Sequence, residues 1–132
     1  MDQAALVTEE IDAGAELVRR FSQYLPVNIA FWLKTPDEER HYLYLASDRI
    51  DDTNFDVAYG EVLRVSGQMT TLYLDPFQVR VVSADHPLAR AAIDIFTRFP
   101  SPMATRLRGT MFGGRYVDEV YIYPTLSPAT VS

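Results

Sequence analysis

Leu6, Val7, Ile11, Gly14, Leu17, Val18, Phe21 and Leu25 recur at steps of three and four, with Glu9, Glu10, Asp12, Glu16, Arg19 and Arg20 between them. That period predicts an amphipathic helix of about five turns, ended by Pro26. Gly14 lies on the apolar stripe. A glycine there costs about 1 kcal/mol of helix propensity against Ala, and its usual reason is close backbone approach to a neighbour. The pattern then changes period. Val27 to Leu33 reads as a strand, Thr35-Pro36 opens a type I turn, and Arg40 to Ala46 reads as a second strand. Both strands are apolar or aromatic on both faces, as central strands are.

Ser47 to Asp52 is a polar turn, and Thr53 with Asp56 resembles a capping box. Phe55, Ala58, Tyr59, Val62, Val65 and Met69 mark a second helix, with Gly67 as its C-cap candidate. Leu72-Tyr73-Leu74 is a short extended piece, Asp75-Pro76 a break, and Phe77 to Ser83 a third strand. Asp85 is the expected N-cap of a third helix whose first turn carries Pro87. Leu88, Ala92, Ile95, Phe96 and Phe99 form its expected buried stripe, and Pro100-Ser101-Pro102 stops it.

Thr105 to Tyr123 is a hairpin folded at Gly113-Gly114, since a type I′ turn needs positive φ at both central residues. This register sets Phe112 opposite Arg115, Thr110 opposite Val117 and Arg108 opposite Glu119. The other face carries Met111 with Tyr116, Gly109 with Asp118, and Leu107 with Val120, and is expected to pack on the core. Arg106, Arg108, Glu119, Tyr121 and Tyr123 are then expected on a solvated or partner-facing surface. The element order α-β-β-α-β-α-β-β predicts a two-layer α+β domain over residues 1–124, with a five-stranded mixed sheet and three helices mostly on one face. Residues 125–132 read as a flexible C-terminal tail.

Composition narrows the chemistry. The 132 residues contain no cysteine, which removes disulfides, thiolate metal sites and cysteine nucleophiles. No apolar run approaches the roughly eighteen residues of a membrane span, and the acidic N-terminus is not a signal peptide, so a cytoplasmic protein is expected. The formal charge of −6 is uneven: Met1 to Ser66 holds six basic and thirteen acidic residues, and Gly67 to Ser132 six basic and five acidic. A chain of this charge repels a phosphate backbone, which argues against nucleic acid as a partner.

Gly14-Ala15-Glu16-Leu17, Ala30-Phe31-Trp32-Leu33, Ala58-Tyr59 and Leu74-Asp75-Pro76 stand at characteristic spacings. With Pro87-Leu88, Arg106-Leu107-Arg108 and Val120-Tyr121-Ile122-Tyr123, the chain resembles a family of uncharacterised small bacterial proteins. The resemblance implies a bacterial origin and one domain, and carries no known activity, cofactor or functional residue.

The candidate chemistry is sparse. His86 beside Asp85 has the residue types of an oriented general base, but helix capping explains both, and no nucleophile motif accompanies them. Asp118 is a carboxylate expected on a core-facing side. Asp48, Asp51, Asp52 and Asp56 are dense enough for a divalent cation yet lack the EF-hand spacing, and the helix dipole accounts for them; no metal or cofactor is expected. If odd positions of the first two strands face the helices, Trp32, Tyr42 and Tyr44 share the opposite sheet face with Arg106, Arg108 and Tyr121. Tyr, Trp and Arg are the types enriched at interface hot spots. The leading expectation is a non-enzymatic protein–protein interaction module using that face, by self-association as a homodimer or with another protein. A helix crossing over to bury the aromatics accounts for the pattern equally well. The alternatives are an enzyme of unrecognised class using Asp85, His86 or Asp118, and an acidic mimic that blocks a nucleic-acid-binding partner.

Overall fold

The computed structural model describes residues 6–99 and 103–124. Its elements are α1 (Thr8–Phe21), β1 (Ile29–Lys34), β2 (Tyr42–Ser47), α2 (Phe55–Gln68), a 3-10 turn (Pro76–Gln78), β3 (Val79–Ser83), α3 (Pro87–Arg98), β4 (Thr105–Phe112) and β5 (Arg115–Ile122). The strands form one five-stranded sheet in the order β3-β2-β1-β5-β4. Every neighbouring pair is antiparallel except β2–β3, which is parallel, with α2 as the crossover between them. This is the mixed α+β sheet expected from the element order. The expected tail at 125–132 and the Pro100-Ser101-Pro102 stop lie outside the described residues.

The sheet is buried on both sides. On one face Ala30, Trp32, Leu43, Leu45, Val79 and Val81 pack under Leu17, Val18 and Phe21 of α1 and Ala58, Val62 and Val65 of α2. On the other, Phe31, Tyr44, Val117, Val120 and Ile122 pack under Leu88, Ala89 and Ala92 of α3. Two of the three helices thus share a face and the third covers the reverse. Phe21, Phe31 and Trp32 are wholly withdrawn from water, each worth about 2–3 kcal/mol of transfer free energy.

Local chemistry sets the element ends, in places differently from the sequence expectation. α1 stops at Phe21, where Ser22 Oγ bonds back to the Val18 carbonyl at 2.7 Å. α2 has no Thr53/Asp56 box: Asp51 instead accepts from Thr53 N at 2.8 Å and Thr53 Oγ1 at 2.6 Å, closing the turn before the helix. Gly67 lies inside α2, not at its C-cap. The first residues of the expected third strand form the 3-10 turn, capped by Asp75, whose Oδ1 accepts from Phe77 N at 2.9 Å. The N-cap of α3 is His86 rather than Asp85, because His86 Nδ1 accepts from Leu88 N at 3.1 Å. Phe99 falls past the last helical residue and is 63% exposed, so it leaves the stripe of Leu88, Ala89 and Ala92.

The last hairpin has the expected register and positive φ at Gly113 (60°) and Gly114 (87°). Its faces, however, exchange halfway. The pairing is interrupted at Gly109 and Asp118, and Gly109 has a φ of 55°. Below that point Leu107, Val120 and Ile122 meet the α3-side core; above it Phe112 and Val117 do so, while Met111 and Tyr116 are exposed. A left-handed glycine in the strand gives the ribbon the extra turn that one continuous alternation lacks.

Candidate functional site

The six residues expected on one aromatic face occur on two. The β1–β2 register pairs Trp32 with Leu43 and Phe31 with Tyr44, so Trp32 and Tyr44 point to opposite sides of the sheet. Trp32 lies under α1 with 0% exposure, and its Nε1 donates to the Tyr123 hydroxyl at 2.9 Å. That hydroxyl donates in turn to the Ile11 carbonyl at 2.6 Å. Burial pushes the Tyr123 phenol well above its ordinary range. Tyr121 is paired with Trp32 in register and lies edge-on to Tyr123, with ring centroids 5.2 Å apart. Arg106 stands over Tyr121, 5.8 Å from its centroid. On the reverse face Tyr44 stacks on Phe31 at 5.0 Å, and its hydroxyl accepts from Arg80 Nη1 at 2.8 Å. Arg80 also covers the Tyr42 ring at 3.9 Å and meets Glu38 at 3.0 Å. The expected common surface of Trp32, Tyr42, Tyr44, Arg106, Arg108 and Tyr121 is therefore not formed. Helices on opposite faces cover Trp32 and Tyr44, and Arg80 and Arg106 lie over half-buried Tyr42 and Tyr121.

The three candidate enzyme residues have separate partners. Asp85 is exposed beside Arg90, His86 caps α3, and Asp118 pairs with Lys34 at 3.1 Å. Burial lowers the His86 imidazole below its ordinary value. Among the described residues no three His, Asp or Glu side chains are placed to hold a metal ion, and no helix is long and apolar enough to cross a membrane. Among the described carboxylates of the acidic first half, Glu16 pairs with Arg20, Asp37 with Arg115, Glu38 with Arg80 and Glu61 with Arg64, while Asp48, Asp52 and Asp56 form no ion pair.

A buried ionic group stands where a solvated surface was expected. Glu119 lies in β5, paired with Lys34 of β1 on one side and Arg108 of β4 on the other. Its carboxylate is buried and accepts from Arg106 Nε at 2.5 Å and from Leu6 N at 3.4 Å. It also meets buried His41 Nε2 at 2.8 Å, and Arg108 lies 3.6 Å away. Arg106 Nη2 donates to the Leu6 carbonyl at 2.9 Å, so both backbone groups of Leu6 are tied to this cluster. Burial, the largest influence, raises the Glu119 carboxyl, but the bonds from Arg106, His41 and Leu6 outweigh it and hold the group below the usual carboxylate range. Here the charges are spent on one another and on anchoring the entry to α1.

A second surface was also missed. Residues 69–78 run back along α2 from its C-terminus, and Tyr59 donates its hydroxyl to the Pro76 carbonyl at 2.8 Å. That bond sets the turn before Phe77 against Tyr59, which has Phe55 and Leu63 one turn to either side on α2. Leu74 plugs into the core, whereas Leu72 is 97% exposed and Phe77 75%, with Phe55, Leu63 and Tyr73 also exposed. Together these side chains leave on the order of 500 Å² of largely apolar surface in water, near the upper end for a monomer. The 3-10 turn is held rigidly by Asp75 and by Gln78, whose Nε2 donates to the His41 carbonyl at 3.0 Å, so Phe77 is presented on a fixed loop.

Comparison with protein-family models, with curated proteins and with solved structures finds no match.

Proposed function

We propose that this chain is a non-enzymatic interaction module whose contact surface is the apolar patch of α2 and the 69–78 loop. The observation that carries the reading is the exposure of Leu72 and Phe77 on the segment after α2, whose 3-10 turn is tied down by hydrogen bonds. Isolated surface apolar residues are ordinary, but five large exposed ones drawn from one helix and the segment that follows it favour a contact site. Protein–protein contact therefore rests on a different surface from the aromatic sheet face. The enzyme reading lacks a comparable support, since Asp85, His86 and Asp118 do not converge, and the acidic-mimic reading loses Glu16, Asp37, Glu38 and Glu61 to arginine partners. Photocrosslinking tests this reading. A benzophenone side chain replacing Phe77 in native cells is expected to capture a discrete protein, and Leu72→Ser is expected to remove the adduct. A pattern identical to that from the same group at exposed Arg19 would overturn the reading.

A further inference from the structure

We propose that the occupant of this patch is a basic amphipathic helix of another protein, laid along α2; the inference rests on the contact surface assigned above. The exposed side of α2 has two rows. Phe55, Tyr59 and Leu63 form an apolar ridge, and beside it Gly60 and Gly67 lie seven residues apart on one face. A Cβ built on either glycine meets nothing within 4 Å. These glycines therefore serve no packing inside the chain, although each weakens the helix relative to alanine. Bare backbone beside an apolar ridge is a floor on which a second helix approaches closely, and groove-bound helices are read through such apolar anchors.

Charge decides the chemistry of the occupant. Asp52 and Asp56 flank Phe55 and are exposed, and among the described residues neither carboxylate has a cationic partner. Arg64, the one cation within α2, is held by Glu61 at 2.5 Å. The rim is thus negative in a chain of formal charge −6, which draws a basic partner and opposes a second copy of the same sign.

The probe is a fluorescent peptide of about eighteen residues with Leu at helical spacing and Lys elsewhere, compared by anisotropy with its Leu/Glu counterpart. The Lys peptide is expected to bind the full chain, more weakly as salt rises, and the Glu peptide not to bind. Asp52→Lys with Asp56→Lys is expected to weaken binding about tenfold and flatten the salt dependence. Gly60→Gln, which keeps a good helix former at an open position, is expected to weaken it at least as much. No binding of the Lys peptide, equal binding of both peptides, or indifference to these variants overturns the inference. So does a sedimenting dimer that Gly60→Gln dissolves, which would make a second copy the occupant. Leu72→Ser with Phe77→Ser separates the two levels. Loss of both peptides alike keeps the contact surface and removes the basic helix, whereas no loss for the Lys peptide removes the surface itself.

Discussion

Gly14→Ala tests the packing of α1 on the sheet most sharply, because two effects of opposite sign compete at one atom. Alanine at a mid-helix position gains about 1 kcal/mol of helix propensity over glycine. Against that, the new methyl would collide with the Tyr123 hydroxyl and lie 3.0 Å from Trp32 Nε1. The hydroxyl has little room to move, since it accepts from Trp32 at 2.9 Å and donates to Ile11 at 2.6 Å. Forcing it aside adds overpacking of about 1–3 kcal/mol and strands the buried indole N–H, at about another 1–3 kcal/mol. The net expectation is a loss of about 2 kcal/mol and a fall in Tm of roughly 8 °C for a domain of this size. Denaturant unfolding followed by the fluorescence of Trp32, the one tryptophan, reads it directly. Tyr123→Phe removes the nearest obstacle, so Gly14→Ala in that background is expected to cost less than about 1 kcal/mol, a coupling that the double-mutant cycle isolates. A Gly14→Ala variant more stable than the parent would show that α1 stands off the sheet and would refute the close approach.

Two further outcomes follow from named contacts. Gly113 and Gly114 both have positive φ, but a Cβ at Gly113 would lie 2.9 Å from Leu88 Cδ2 and 3.1 Å from the Pro87 carbonyl, whereas at Gly114 it meets nothing within 4 Å. Gly114→Ala is therefore expected to cost about 1 kcal/mol for the left-handed backbone alone and Gly113→Ala about 2 kcal/mol or more; equal melting temperatures would separate the turn from α3. The Glu119 carboxyl is depressed below its ordinary value near 4.5 in the folded chain, so its share of stability is present above that pH and declines as pH falls through the lower folded value. Glu119→Gln is expected to destabilise the chain at neutral pH and to flatten the acid limb of a stability–pH curve; an unchanged acid limb would mean that other carboxylates govern it.

The hairpin at Gly113-Gly114, the period of α1 and the close approach at Gly14 were legible because each leaves a local mark, even where, as at Gly14, the neighbours Trp32 and Tyr123 come from elsewhere in the chain. The β1–β2 register was not. Both strands are buried on both faces, so alternation no longer says which residues share a side, and nothing else in the sequence separates pairing Trp32 with Leu43 from pairing it with Tyr44. Glu119 read as solvated because two of its partners, Leu6 and His41, come from distant segments, although Arg106 lies in the same hairpin. The exchange of faces at Gly109 was hidden in one residue's φ, which no spacing announces. Leu72 and Phe77 had the composition of buried strand residues, and only the path of the loop beside α2 leaves them in water.

The strand order β3-β2-β1-β5-β4 sets β1, the earliest of the described strands, beside β5, the latest. Trp32 reaches its hydrogen-bond partner 91 residues downstream, and the Ile11 carbonyl reaches the same hydroxyl 112 residues away. On a ribosome, everything through β3 emerges while one flank of β1 has no neighbour, and the floor beneath α1 is incomplete until Tyr123 is made. Pairings of such span close slowly, because loop entropy opposes them before any contact is gained. A nascent chain thus carries an open strand edge beside an uncovered indole from the emergence of β1 until β5 and Tyr123 can dock, and is exposed to aggregation throughout that interval.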